Sequence, residues 1–146
     1  MRLLIINGPN LNMLGIREPE LYGHQTLADI EAMVREHCEQ HGVTPTFFQS
    51  NNEGALVDAI QQAYGQQDGI IINPAAYTHT SVAILDALKA VALPAVEVHL
   101  SDPLMREPFR HHSYITPVCI AAIRGKGGAG YVEAVDVLVR HLAAKS

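Results

Sequence analysis

The stretch Gly69-Ile70-Ile71-Ile72-Asn73-Pro74-Ala75-Ala76-Tyr77-Thr78-His79-Thr80-Ser81 decides the fold. Its opening is a continuous apolar, β-branched run, as expected of a strand buried on both faces of a parallel sheet. Asn-Pro breaks the run. Thr80 or Ser81 then opens a helical stripe of Ile84, Leu85, Leu88 and Val91 that stops before Pro94. A buried strand, a short link and an amphipathic helix make half of a right-handed crossover unit.

The same alternation extends in both directions. Apolar runs recur at residues 3–6, 43–48, 95–98 and 118–123. Leu27, Ile30, Val34 and Cys38 form a helical stripe between the first two, with Thr26 as N-cap and Gly42 as the stop. Ser50-Asn51-Asn52-Glu53 has capping-box form ahead of Leu56, Ala59, Ile60 and Ala63. A last stripe runs through Tyr131, Ala134, Val135, Leu138, Val139 and Leu142. Strict strand–helix alternation predicts an α/β fold: a flavodoxin-like, doubly wound, five-stranded parallel sheet of order 2-1-3-4-5, with residues 1–146 as a single domain.

Composition agrees with that size and narrows the function. Of 146 residues 48% are apolar and 17% charged, enough for one buried core and unlike a disordered chain. A net charge of −5 without any basic run argues against nucleic acid as a partner, and the short apolar runs argue against a membrane span. Two cysteines and an N-terminal apolar stretch too short for a secretion signal lead to the expectation of a cytoplasmic, reduced protein.

Two links are far longer than the roughly 2–6 residues such connections take. They span residues 8–25 and 101–117, and both leave the carboxyl ends of strands, where open α/β sheets bind ligands. The first contains Arg17 and Tyr22. A tyrosine of ordinary pKa, about 10, is about 0.1% ionised at pH 7, and roughly 4 kcal/mol of preferential stabilisation of the anion would make it a base. A desolvated arginine supplies much of that, while a solvated one does not. An irregular surface loop accounts for the glycines here but not for this pair. The exit of the third strand adds Asn73 and His79, polar groups beside a helix start, where an anion such as a carboxylate is favoured. Ordinary capping accounts for Thr80 and Ser81. In Glu97-Val98-His99, period two puts carboxylate and imidazole on one face, so Glu97 can orient His99 as a general acid. A satisfied polar pair at a subunit contact is the alternative.

Other signals carry less. Residues 125–130, Gly-Lys-Gly-Gly-Ala-Gly, fit a dinucleotide fingerprint, but the chain continues only 16 residues further, without the following strand and acid that such a motif needs. A phosphate- or nucleotide-binding module built on this turn is the alternative class of function. A receiver-like signalling domain fails because the third strand ends in Asn73 rather than Asp. His111-His112 is the only close histidine pair along the chain, so no metal site is expected. Cys38 in a helix stripe and Cys119 in the last strand read as small buried apolar residues.

Taken together, Asn7-Gly8-Pro9-Asn10-Leu11-Asn12, Arg17-Glu18-Pro19, Tyr22-Gly23, Gln49-Ser50-Asn51, residues 72–81, Glu97-Val98-His99-Leu100-Ser101 and Phe109-Arg110-His111-His112-Ser113 resemble the type II 3-dehydroquinate dehydratases nearly end to end. The resemblance implies elimination of water from 3-dehydroquinate to 3-dehydroshikimate through an enolate, with no metal, imine or other cofactor. It implies Tyr22 as base with its pKa lowered by Arg17, Asn10 holding a water at the enolate oxygen, and His99, oriented by Glu97, as acid. Asn73 with the backbone of Leu100 and Ser101 would bind the substrate carboxylate. His79, Asp86 and Arg110 would bind ring hydroxyls, Asp86 from a neighbouring subunit. Residues 10–23 would close as a lid, and the assembly would be a homododecamer of trimers. Asn52, Asp102, Pro103 and Pro108 depart from the usual family pattern. Asp102 is expected to face outward at the start of a short helix.

Overall fold

Five strands, β1 (Arg2–Asn7), β2 (Thr44–Gln49), β3 (Gly69–Asn73), β4 (Ala95–His99) and β5 (Ala121–Arg124), pair in parallel in the order β2-β1-β3-β4-β5. The computed structural model describes residues 1–16 and 18–145; Arg17, Ser146 and the side chain of Tyr22 lie outside the described residues. The helices are α1 (Pro19–Tyr22), α2 (Leu27–Gln40), α3 (Glu53–Gln62), α4 (Val82–Val91) and α5 (Ala129–Ala143). The fold class and strand order are those expected from the alternation of runs and stripes.

Strand parity builds two cores. Leu3, Ile5, Ile71, Val96 and Val98 pack with Ile30, Val34, Tyr131 and Val135 of α2 and α5. Leu4, Ile6, Ile70, Ile72 and Ala95 pack with Leu56, Ile60, Ile84 and Leu88 of α3 and α4. Successive side chains on a strand point to opposite faces, so every buried strand residue has a helix to meet. Continued to the strand ends, the same parity sends Asn7 and Asn73 toward α5, and Glu97 and His99 toward the opposite face. β2 is half-exposed, and Pro45 is tolerated there because it stands on an edge strand.

Three local expectations need correction or refinement. Thr26 caps α2 in a full capping box with Asp29, but α3 is capped by Asn52, whose Oδ1 accepts from the Ala55 amide at 3.1 Å. Ser50 instead accepts from the Asn52 amide at 3.0 Å, so the Ser50–Glu53 box does not form. The last strand begins at Ala121 rather than 118, because Thr116–Val118 is a 3-10 turn containing Pro117 and the chain joins the β4 ladder only at Ile120, whose amide donates to the Ala95 carbonyl at 2.8 Å. Cys119 therefore precedes the strand, half-buried, while Cys38 is fully buried in α2; burial pushes both thiols up, to about 12 and about 11.

Candidate active site

At the carboxyl edge of the sheet the two long links meet over β1, β3 and β4. They line a small, partly open cleft with a cavity volume of about 50 Å³. Asn10, Asn73, His79, His99, Leu100, Ser101 and Arg110 all line it, drawn together from segments far apart in the chain.

Beneath the cleft lies Glu97, fully buried. The His99 ring donates from Nε2 to Glu97 Oε2, which leaves Nδ1 for a ligand. Ser113 Oγ also donates to Oε2, at 2.9 Å, and Thr116 Oγ1 donates to Oε1. Burial alone would raise the Glu97 carboxyl. The His99 bond and charge, with the Thr116 and Ser113 hydroxyls, outweigh it and hold the group below its usual range as a carboxylate. The pair therefore has a fixed tautomer and a fixed ring plane. As imidazolium the ring would present Nδ1–H, with its charge met by Glu97.

On the other side of the sheet the Tyr131 phenol, fully buried, donates to Asn7 Oδ1 at 2.5 Å and accepts from Asn73 Nδ2 at 3.0 Å. Asn73 Oδ1 in turn accepts from the Ala75 amide at 3.1 Å. Burial pushes the Tyr131 hydroxyl far above its usual range, so it remains a neutral donor. The Asn73 carboxamide is thereby locked, with one N–H left for a ligand.

His79 donates from Nδ1 to the His112 carbonyl at 2.8 Å. Burial lowers the His79 pKa, and the His112 bond only partly opposes this, so the ring is neutral near pH 7. Arg110 donates from Nε to Glu107 at 3.0 Å. Asn10 sits in a left-handed conformation, φ +70°, held by its amide donating to Asn51 Oδ1 at 2.9 Å. Gln49 Nε2 donates to the Gly8 carbonyl at 3.1 Å, and Tyr77 Oη to the Asn51 carbonyl at 2.9 Å. The departures from the family pattern are accommodated locally. Asp102 caps a 3-10 turn, Pro103–Met105, by accepting from the Leu104 amide at 3.0 Å, and Pro108 opens another, Pro108–Arg110.

The glycine turn at residues 125–130 does different work from a phosphate cradle. The Gly125 amide is directed at the His99 and Ser101 carbonyls, at 3.3 and 3.2 Å, and the Gly127 amide donates to Leu100 at 3.0 Å. These donors are committed to clamping the exit of β4, which places His99, Leu100 and Ser101 in the cleft wall.

These residues match a known family along nearly the whole chain: the model for class II dehydroquinase covers residues 1–139. The chain belongs to the class II dehydroquinase family. A 3-dehydroquinate dehydratase 1 of Corynebacterium efficiens is 56% identical over 140 residues, covering 96% of this chain and 93% of the relative. A catabolic 3-dehydroquinase 1 of Aspergillus terreus is 57% identical over 134 residues, covering 92% and 88%. The crystal structure of type II dehydroquinase from Butyrivibrio crossotus superposes with a TM-score of 0.93 at 48% identity, covering 95% of this chain and 97% of that one.

Of the residues singled out in the sequence as sites in a dehydroquinase, Arg17 and the Tyr22 side chain lie outside the described residues, although the Tyr22 backbone ends α1. Asp86 is exposed on α4 and does not line the cleft of its own chain. Sequence reading quoted Ser113 in a family motif without giving it a role, and missed Thr116; these are the two hydroxyl donors to Glu97. It treated Tyr131 as core. It also missed Arg106, which lines the cleft and approaches Ser101 Oγ at 3.4 Å. Arg106 falls in the long second link, and that was its only sequence signal.

Proposed function

We propose that this chain is a 3-dehydroquinate dehydratase, a hydro-lyase in which Tyr22 is the base and His99 the acid. The observation that carries the reading is the buried Glu97 carboxylate holding His99 Nε2 at the mouth of a small cleft, in a member of the class II dehydroquinase family. The reaction removes a proton from the carbon beside a ketone and expels a tertiary hydroxyl as water. A base, an enolate stabiliser and an acid are therefore required. Tyr22, with its pKa lowered by Arg17, takes the proton. Asn10 holds a water against the enolate oxygen. His99 gives its Nδ1 proton to the departing hydroxyl, and Glu97 balances the charge of the imidazolium before transfer.

Asn73, with the Leu100 and Ser101 backbone, receives the substrate carboxylate at the strand exits. His79 and Arg110 bind ring hydroxyls, and the left-handed turn at Asn10 is one hinge of a lid over residues 10–23 that closes to desolvate Tyr22. Asp86, exposed on its own chain, completes a neighbour's site in a homododecamer of trimers. No cofactor takes part. The enzyme acts in the cytoplasm, in keeping with two free cysteines, and in shikimate-pathway biosynthesis of aromatic amino acids. The fungal relatives named catabolic support quinate degradation as the second reading.

The test is enone absorbance on mixing purified protein with 3-dehydroquinate, in the presence of EDTA and after borohydride treatment. Appearance of the enone under both conditions is expected. A folded protein without turnover refutes the activity, and loss of turnover with EDTA or borohydride refutes the mechanism. Tyr22→Phe is expected to keep the fold and abolish turnover; a variant that retains turnover removes Tyr22 from the role of base.

A further inference from the structure

The last turn of α2 carries His37, and His41 caps the helix one turn later. Residues four apart share a helix face, so the two imidazoles stand side by side, their ring centroids 4.5 Å apart and their planes tilted by 52°. α5 brings Asp136 against them, its Oδ1 2.7 Å from His37 Nε2. One ligand atom from each of the three residues lies within 4.8 Å of the others. His37 and Asp136 are partly buried, while His41 is exposed.

We infer that His37, His41 and Asp136 form a site for a divalent transition metal of the Zn²⁺ class, clasping α2 to α5. Two imidazoles and a carboxylate are a borderline-soft donor set that suits zinc, and spacing of two histidines at i and i+4 is how one helix supplies two such ligands. Bonds of about 2.0–2.1 Å in a tetrahedron set ligand atoms roughly 3.3 Å apart. Side-chain rotation alone has to draw His41 inward and let Asp136 back away slightly from His37. The ion takes the place of the proton between His37 Nε2 and Asp136: from a charged His37 that proton passes to solvent, and in a neutral one the ring proton moves to Nδ1, leaving Nε2 free to bind. Three protein ligands leave a fourth position for water. An open groove beside His37, lined by Met33, Glu36, Gln40 and Val132, gives access. The carbonyl end of the 14-residue α2 adds a favourable dipole for a cation.

In a crossover unit the helix runs back against the strands, so the C-terminal turn of α2 lies at the sheet edge opposite the cleft. The ion is therefore a clasp with no part in turnover. The sequence places His37 and His41 four residues apart but does not point to the third ligand, which stands 99 residues beyond His37.

Chelator-stripped protein should be titrated with ZnCl2 against a chromophoric zinc indicator, with thermal melts alongside. One equivalent is expected to bind and Tm to rise with zinc concentration. His41→Ala and Asp136→Asn should each weaken that equivalent by at least about tenfold, a loss typical even of second-shell changes. The double variant His111→Ala/His112→Ala should bind as the parent does. Co²⁺ in place of Zn²⁺ should give intense visible bands in the parent and lose them in His41→Ala. His41 is exposed, so this variant should fold, and circular dichroism checks that it has. Binding that is absent in the parent, or unchanged in both His41→Ala and Asp136→Asn, overturns the site. The readouts do not involve dehydration, so they stand or fall independently of the proposed activity.

Discussion

Replacing Tyr131 by Phe deletes one oxygen from the interior and leaves the ring volume intact, so no cavity larger than that atom opens. The deletion strips Asn7 Oδ1 of a donor at 2.5 Å and Asn73 Nδ2 of an acceptor at 3.0 Å, at residues that are 1% and 3% exposed. A buried polar group left unpaired costs about 1–3 kcal/mol. Asn73 keeps its bond from the Ala75 amide, so the combined loss should be about 2–4 kcal/mol. At this chain length each kcal/mol lowers Tm by roughly 3 °C, which gives a fall of about 6–12 °C. The assay is urea unfolding, in which the midpoint should drop while the m-value stays constant. Because Asn73 faces the cleft, KM for 3-dehydroquinate should rise more than kcat falls. A stability loss below about 0.5 kcal/mol, with KM unchanged, would refute the claim that this phenol braces Asn73 at the cleft.

Three further outcomes follow from the same structure. Thr116→Val removes a donor to Glu97 and should cost about 1–3 kcal/mol at neutral pH by urea unfolding. Glu97 has a folded pKa below its unfolded one, so its contribution is present above the unfolded value near 4.5 and is lost as pH falls through the folded value. Weakening its hydrogen bonds in Thr116→Val should therefore move the acid-unfolding midpoint to higher pH; an unmoved midpoint contradicts the assignment. Gly8→Ala places a Cβ 2.4 Å from the Pro74 carbonyl oxygen, where backbone meets backbone, and should cost about 3 kcal/mol or more in a thermal melt. A wild-type Tm would show that the β1 and β3 exits are not packed this closely.

The strands were legible because burial on both faces writes itself into short continuous apolar runs, and the helices because 3.6-residue stripes and caps are local. Parity did more. Once β4 was recognised, Glu97 and His99 had to share a face, and the hydrogen bond between them is the direct result. Where local rules competed, they misjudged the boundary: Pro117 and the pull of Thr116 toward Glu97 delay β5 to Ala121, and Asn52 rather than Ser50 caps α3.

The remainder depended on contacts that periodicity does not encode. Thr116 reaches Glu97 from the aperiodic second link, where local physics leaves many conformations open and only docking on the sheet selects one. Tyr131 looked like core from its stripe and is core, but its hydroxyl finds Asn7 across 124 residues because β1 and β3 end in register beside α5. His37 meets Asp136 only because α2 and α5 cover the same face. Sequence alone determined which strand and helix positions must be buried, and it nominated candidates for the chemistry. The tertiary structure decided which polar groups satisfy one another, since a buried donor must find an acceptor wherever the packed chain supplies one.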